Sequence, residues 1–447
     1  MSFWRNLSVV VVALIAAGPG KAQTYSLIES PKVGDCFHVH IDMVLSGELR
    51  VNRDGKQVPL KLEALATHDF PERLLNVGAD GQADKAARYY ETAKATVTLD
   101  KDVTERSVRS ERRLMVAERS NGRFLLYCPG GTLTRDELDL TGEHFDTLAL
   151  TGLLPAKAVA VGDTWKLSNA VVQALCSFEG LTEQNIECKL EEVRDQAAHI
   201  SVKGTSSGID LGAQVKLIVD ATCVFDLGSH KLTRIDWKQK DDREQGPVSP
   251  ASSLHTTVGL TRNAVEQPSV LSDVALVSVP DGFEPPEPLT QLEYRDRKNG
   301  FVVQYGREWQ TVSQNDEHVV LRLVDRGEFV SQVTLTPWTK AEEGKHLTPE
   351  EFRQAMSDTP GWQPEEEVQA GEVSGDKDKY IYRISSIGQL EGSKVMQNFY
   401  LVAGTDGRQL VLVFTLAPKQ VDRLGTKDLM LAAGIHFSDG KDTSLQK

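Results

Sequence analysis

Apolar and polar residues alternate at every second position through most of the chain, the period of a half-buried β-strand. In Cys36-Phe-His-Val-His-Ile-Asp-Met43, the residues Phe37, Val39, Ile41 and Met43 take one phase and Cys36, His38, His40 and Asp42 the other. Ser46 to Val51 and Val58 to Leu65 read as neighbouring strands, and Asn52-Arg53-Asp54-Gly55 supplies the positive-φ positions of a hairpin turn. Strands are expected over 87–99, 110–117 and 122–128, although Ala83 to Thr96 also carries helix propensity. Thr134-Arg-Asp-Glu137 offers a capping box and predicts a short helix near 135–150. The run Val161-Gly162-Asp163-Thr164-Trp165 then echoes Val33-Gly34-Asp35-Cys36-Phe37, marking two halves, 33–160 and 161–264. The second half predicts a helix around Asn169 to Cys176 and strands near 184–193, 197–205, 213–226, 230–240 and 253–262.

The alternation stops at Val279-Pro280-Asp281-Gly282-Phe283-Glu284-Pro285-Pro286-Glu287-Pro288. Its prolines cannot continue a sheet, so a stiff extended connector between two modules is expected. Beyond it, strands are predicted at Phe301–Tyr305, 318–324, 328–336, Tyr380–Ile387, Lys394–Val402 and Gln409–Leu416. Thr348-Pro349-Glu350-Glu351 is a strong helix start, with Phe352 and Met356 on one face. Pro418 opens a second helix running to about Ala433, with Val421, Leu424, Leu429 and Ala432 as its buried stripe. Ile435-His-Phe437 closes as a short strand. The fold class expected is α+β but β-dominated: a curved N-terminal antiparallel sheet with short helices, then an antiparallel sheet between helices.

Length and composition fit this division. The 447 residues exceed one core, and 40% hydrophobic with 26% charged residues is ordinary for a folded chain. Arg5, the apolar run Leu7 to Ala17 and the small residues around Gly20-Lys21-Ala22 read as a secretory signal over 1–22, too short to span a bilayer. The expected order is that signal, a β-rich domain over 23–264, a Pro-rich linker over 265–290, a second domain over 291–440 and a tail over 441–447. The location expected is exported, periplasmic or extracellular, with no transmembrane span in the mature chain. A net charge of −14 opposes nucleic acid and anionic membranes. The densest basic run, Arg106 to Arg113, contains Glu111 and reads as a solvated strand.

No group of residues demands a particular chemistry. Gly204-Thr-Ser206-Ser-Gly208 matches the nucleophile-elbow pattern, but the next residues lead into another strand, so a hairpin loop is expected. Cys36, His38, His40 and Asp42 share one strand face and could share zinc or copper, although any solvated sheet face needs alternating polar residues. Asp136, Glu137, Asp139, Glu143, His144 and Asp146 are explained by a helix start as well as by calcium. Of the five cysteines, Cys176, Cys188 and Cys223 could form a bridge, Cys176–Cys188 or Cys188–Cys223, or stay as small buried thiols. No C-x-x-C and no phosphate-binding glycine loop occurs. No cofactor and no catalytic residue is nominated.

Two resemblances add to this. Val161-Gly-Asp-Thr-Trp165, Phe225-Asp226, Asp242-Arg243 and Gly246-Pro247 make residues 34–262 resemble an uncharacterised family of exported bacterial proteins, which implies no activity. A long curved sheet with short helices is, more distantly, similar to the periplasmic lipoprotein carriers, which hold acyl chains in a half-barrel. Gly300-Phe-Val-Val-Gln-Tyr305 with Trp309, the helix at Thr348, the central meander and Ile435-His-Phe437-Ser438 make residues 291–438 resemble the photosystem II extrinsic subunit PsbP and its relatives. That resemblance implies an antiparallel sheet between helices, used for docking. The function expected is a non-enzymatic exported interaction module with a protein partner on 291–438, or, alternatively, a carrier of a lipid or other hydrophobic small molecule in the N-terminal β domain.

Overall fold

The computed structural model describes residues 23–53, 56–120, 123–142, 145–373 and 378–437. The expected signal over 1–22, residues 54–55 of the expected hairpin turn and the expected tail over 441–447 lie outside the described residues.

The first module is a 14-stranded antiparallel sheet. Its main path runs Thr164–Lys166, Glu187–Arg194, Ala197–Asp210, Ala213–Asp226, Lys231–Arg243, Ala251–Ala264, Cys36–Arg53, Lys56–Val77, Ala83–Tyr89, Leu114–Ser120 and Arg123–Tyr127. The centre is one long hairpin in which Cys36–Arg53 pairs residue for residue with Lys56–Arg73. The expected separate strands at 36–43 and 46–51 are a single strand because alternation continues unbroken through Leu45, Gly47 and Leu49. Gly47 permits a close approach there, since a Cβ would stand 2.2 Å from the Ser253 carbonyl oxygen.

Beyond Phe70 the long strand changes partner. Residues 62–69 pair with Thr92–Leu99, whereas 72–77 pair with Ala83–Tyr89, so the sheet forks around the buried Pro71. The helix reading of 83–96 thus gives way to two strands. Short helical segments cover the inner face on one side of this fork. Arg135–Gly142 carries the expected capping exchange, with Glu137 N donating to Thr134 Oγ1 at 3.2 Å and Thr134 N to Glu137 Oε2 at 2.9 Å. The 3-10 segment Thr147–Leu153 and the helix Asn169–Leu175 lie beside it. They are fixed to the sheet by buried polar bonds: His68 Nε2 donates to Leu140 O at 2.8 Å, and Arg88 donates to Glu72 at 2.8 Å and to Thr147 at 2.7 Å.

The repeated Gly-Asp turns have the same hydrogen bonds. Gly34 and Gly162 have φ of +92° and +95°, Asp35 and Asp163 accept from the backbone three residues earlier, and each turn exchanges bonds with a strand partner, Leu74 or Leu190.

Two sequence expectations, for Gly204–Gly208 and for the basic run, are corrected in this module. Of the alternatives left open for the cysteines, the structure has the buried thiols: the five are free and buried, and neither Cys176–Cys188 nor Cys188–Cys223 is bridged. Cys188 and Cys223 instead fill the apolar phase of their strands. Gly204 to Gly208 is not a loop but lies within the strand Ala197–Asp210. Its glycines answer to packing: a Cβ on Gly208 would lie 2.5 Å from Phe178, and one on Gly204 2.6 Å from the Ile186 backbone. The basic run is not a solvated strand, because Arg112 is buried in a 3-10 turn and Arg109 is bound by carboxylates. The proline-rich connector is docked on the first module. Leu271 is fully buried, Arg73 donates to its carbonyl at 2.8 Å, and Lys85 donates to the Pro280 carbonyl at 2.9 Å. A proline-rich chain has carbonyls but few N–H groups, so cationic donors suit it.

The second module holds a seven-stranded antiparallel sheet ordered Trp309–Gln314, Val319–Asp325, Glu328–Trp338, Gln409–Leu416, Ser393–Gly404, Lys379–Leu390 and Trp362–Glu372. The helix Pro349–Ser357 has its capping box formed and buries Phe352 and Met356 against Trp362, Tyr382, Phe399 and Leu401. On the opposite face Leu424, Leu431 and Ala432 join the main core. The expected single helix at 418–433 is broken at Gly425, whose φ is +57°, and Val421 is exposed instead of buried. Among the described residues no helix is long and apolar enough to cross a membrane.

The modules meet through a junction where the apolar core continues across Leu133 and Leu292 and a buried polar network surrounds Glu293. Leu133 bridges Leu292 in parallel, and Glu293 N donates to Leu133 O at 2.9 Å. The buried Glu293 carboxylate accepts from Arg109 at 2.5 Å, Thr132 at 3.0 Å and Arg295 at 2.9 and 3.1 Å. Arg109 also grips the buried Glu137 in a fork of 2.7 and 2.6 Å. Arg135 donates to the carbonyls of Arg307 and Trp309 at 2.8 and 2.9 Å.

Candidate functional site

The register of the first sheet places its inner side chains in rows, because directly opposed residues share a face. One row reads Cys223, Ile235, Leu260, Ile41, His68 and Ala93, and the next Ala221, Trp237, Val258, Met43, Ala66 and Ala95. These rows lie under the helical segments, where Phe145 packs edge-on against Trp237 at 5.0 Å. Around the long hairpin the packed core ends at Met43 and Ala95.

The apolar phase does not end there. The following rows bring Leu45 opposite Ala64 and Ala64 opposite Val97, then Gly47 opposite Leu62 and Leu62 opposite Leu99, then Leu49 opposite Leu60 and Val51 opposite Val58. Apart from Leu60, at 9% exposure, these residues are half-buried, and none of them belongs to a packed hydrophobic cluster. Met43 to Val51 spans about 26 Å, and the three strands 36–53, 56–77 and 92–99 span about 14 Å. The face is therefore on the order of 350 Å², within the range of the largest apolar patches of monomeric proteins. Five open clefts of about 160 to 450 Å³ occur elsewhere, and none of the five is lined by Met43–Val51 or Val58–Ala66.

Polar groups border this face on the side of strand Lys231–Arg243. Trp237 Nε1 donates to Gln239 at 2.8 Å, and Gln239 donates to Asp241 at 3.0 Å. Asp241 stands opposite Leu254, itself opposite Gly47. Its Oδ1 is buried and has no hydrogen-bond partner among the described residues. Burial pushes the carboxyl up to about 6, against the Gln239 hydrogen bond.

The residues nominated from sequence fare differently from one another. Ser206 is buried and its hydroxyl meets Cys176 Sγ at 3.7 Å, with burial raising that thiol to about 12, so neither is an activated nucleophile. The acidic residues near 136–146 do not converge. Glu137 turns to Arg109, Asp146 to Arg119 and the Leu148 amide, and Asp139 lies 3.7 Å from Arg135, while Glu143 and His144 lie outside the described residues.

Cys36 leaves its proposed group. Its thiol is buried, donates to Gly34 O at 3.4 Å, and is raised chiefly by burial. His38, His40 and Asp42 do share the solvent face, and they gather around Asp69, which sequence reasoning missed. His40 lies 3.1 Å from both Asp69 Oδ2 and Asp42 Oδ2, and Thr67 donates to Asp42 Oδ1 at 2.9 Å. Burial opposes the charge on His40, but its two carboxylate partners outweigh it and raise its pKa. His38 Nε2 lies 2.8 Å from Asp69 Oδ1 and 3.8 Å from Glu91. Asp69 and Glu91 were missed because they lie beyond the expected strand end at Leu65. Continuing the hairpin register four residues would have placed Asp69 opposite His40.

No protein-family model matches the chain, and no curated protein matches it. Among solved structures it is similar to the cyanobacterial PsbP of Synechocystis sp. PCC 6803, at 15% identity over 35% of this chain and 98% of that one, with a TM-score of 0.27. It is similar to the Ran-binding protein Mog1p of Saccharomyces cerevisiae, at 11% identity over 33% of this chain and 96% of that one, with a TM-score of 0.27. It is similar to lipovitellin at 10% identity over 53% of this chain and 26% of that one, with a TM-score of 0.31.

Proposed function

We propose that this is a non-enzymatic exported binding protein whose first sheet holds a lipid or comparably apolar molecule along the inner face of its long hairpin. The observation that carries the reading is the continuation of the apolar rows past the end of the core, where Leu45, Leu49, Leu62 and Leu99 stay half-buried and join no packed cluster. Since these side chains are half-buried, the exposure that remains forgoes about 1 kcal/mol for each large one, a cost that a bound acyl chain would remove. The face is about 26 Å long, suited to an extended chain rather than a compact ligand. Asp241, Thr256 and Ser252 along the border would meet its polar end.

The docking role expected of residues 291–438 has less behind it. The exposed apolar side chains there, Phe329, Val368, Val421 and Met430, stand on four separate elements. Native mass spectrometry with lipid extraction, on the protein purified from the exported fraction, tests the reading. A stoichiometric apolar molecule, lost in Leu62→Glu, is the expected result. A clean protein mass, together with no binding of a fluorescent fatty acid at micromolar concentration, would overturn it and turn attention to protein partners.

A further inference from the structure

We propose a divalent transition-metal site on the outer face of the first sheet, formed by His38, Asp69 and Glu91. His38 Nε2 and one oxygen from each carboxylate lie within 4.8 Å of one another, so one ion placed among them could reach all three. Three different segments supply these donors, and the fork of the sheet brings them together. His38 comes from Cys36–Arg53 and Asp69 from the end of the 62–69 pairing. Glu91 sits in the crossover between the two strands that share this edge, held by its N–H donating to Asp69 O at 2.9 Å.

Asp69 is fixed from its second oxygen. Its Oδ2 is held by His40, which is braced in turn by Asp42, itself accepting from Thr67. Its buried Oδ1 faces His38 Nε2 at 2.8 Å, so the two donors already converge and an ion would enter by spreading them a few tenths of an ångström. Carboxylate ligands whose second oxygen is fixed by an outer residue are a regular feature of protein metal centres. One imidazole and two carboxylates favour Zn²⁺ or Mn²⁺; the absence of thiolate in the set disfavours Cu⁺, and the imidazole disfavours Ca²⁺. Glu91 is exposed on the outer side, which leaves the remaining coordination positions to water.

The test is calorimetric titration of the EDTA-stripped full-length protein with Zn²⁺ at pH 7.5, with Co²⁺ absorption as a second readout. One equivalent should bind, and bound Co²⁺ should show visible d–d bands. Glu91→Gln, at an exposed side chain, should weaken binding at least tenfold while leaving the melting temperature of the metal-free protein unchanged. His40→Gln should weaken it by about 10–100-fold through Asp69 alone. No Zn²⁺ binding below millimolar concentration would overturn the site, as would one equivalent whose affinity is the same in wild type, Glu91→Gln and Asp69→Asn.

Discussion

Removing the Glu293 carboxylate should loosen the two modules from one another. Glu293→Ala withdraws the acceptor from Arg109 at 2.5 Å, from Thr132 at 3.0 Å and from Arg295 at 2.9 and 3.1 Å. Breaking a buried ion pair costs about 3–5 kcal/mol when it strands the partner charge. Arg109 is not stranded, because it keeps the Glu137 fork, and Arg295 is 39% exposed, so its share is screened. What remains is one charge-assisted bond and an unpaired Thr132 hydroxyl, together about 3 kcal/mol. For a unit of 150–250 residues this lowers the melting point by about 6–12 °C. Scanning calorimetry should therefore show the Glu293→Ala transition lowered or split in two, with new protease sensitivity between residues 271 and 292. Arg295→Gln should cost under about 1 kcal/mol. Acid should act in the same direction. Burial raises Glu137 and Glu293, but hydrogen bonds and the Arg109 charge outweigh it, and both end below the usual carboxylate value of 4.5. Their contribution is thus complete above pH 4.5 and is lost as pH falls through the depressed values. The reasoning fails if Glu293→Ala melts within 1 °C of wild type, or if Arg295→Gln is equally costly.

Three further outcomes can be measured independently. Burial pushes His68 down to about 4 against its hydrogen bond to Leu140. The unfolded chain therefore takes up a proton that the folded one refuses, and stability should fall by about 1.4 kcal/mol per pH unit from pH 6.5 towards 4, a slope absent in His68→Gln denaturant titrations. A thiol assay without reductant should find five reactive cysteines in the denatured chain and fewer than one in the native chain; fewer than five after denaturation would reveal a bridge. Thr348→Ala removes the side chain that caps Glu351 N at 3.2 Å and should cost about 1 kcal/mol in equilibrium unfolding.

Much of the fold was legible wherever one period governed a segment. Ala213–Asp226 alternates buried and exposed positions along its length, and its hairpin with Lys231–Arg243 follows from that and from the Leu227–His230 turn. The helix at Thr348 was legible because capping is a local transaction. Trp362–Glu372 was not, since Glu365, Glu366 and Glu367 stand in succession with no apolar phase. This strand exists through pairing with Lys379–Leu390, and as an edge strand it tolerates charge. Arg109 and Arg112 were misread for a related reason. Their partners Glu137, Glu293 and the Thr132 carbonyl are distant in sequence, and a basic run looks the same whether water or carboxylates surround it.

The same asymmetry separates the two faces of the long hairpin. Alternation identifies which residues share a face, so Phe37 to Met43 and His38 to Asp42 were sorted correctly from sequence. It does not say how far the opposing layer reaches, and that reach is what matters on the inner face. The strands continue about eight residues beyond the last row that the helical segments cover, with the apolar phase intact. A strand needed only to support a core would turn polar on both faces once the core ended, because exposed leucine adds nothing to stability and invites aggregation. Past the exposed pair Val44 and Leu65, the outer face turns to Ser46, Glu48, Lys61 and Glu63, so polar positions are available there where they serve solubility. Keeping Leu45, Leu49, Leu62 and Leu99 on the other side is therefore a feature that folding does not require. It is the strongest reason to look for what covers that face.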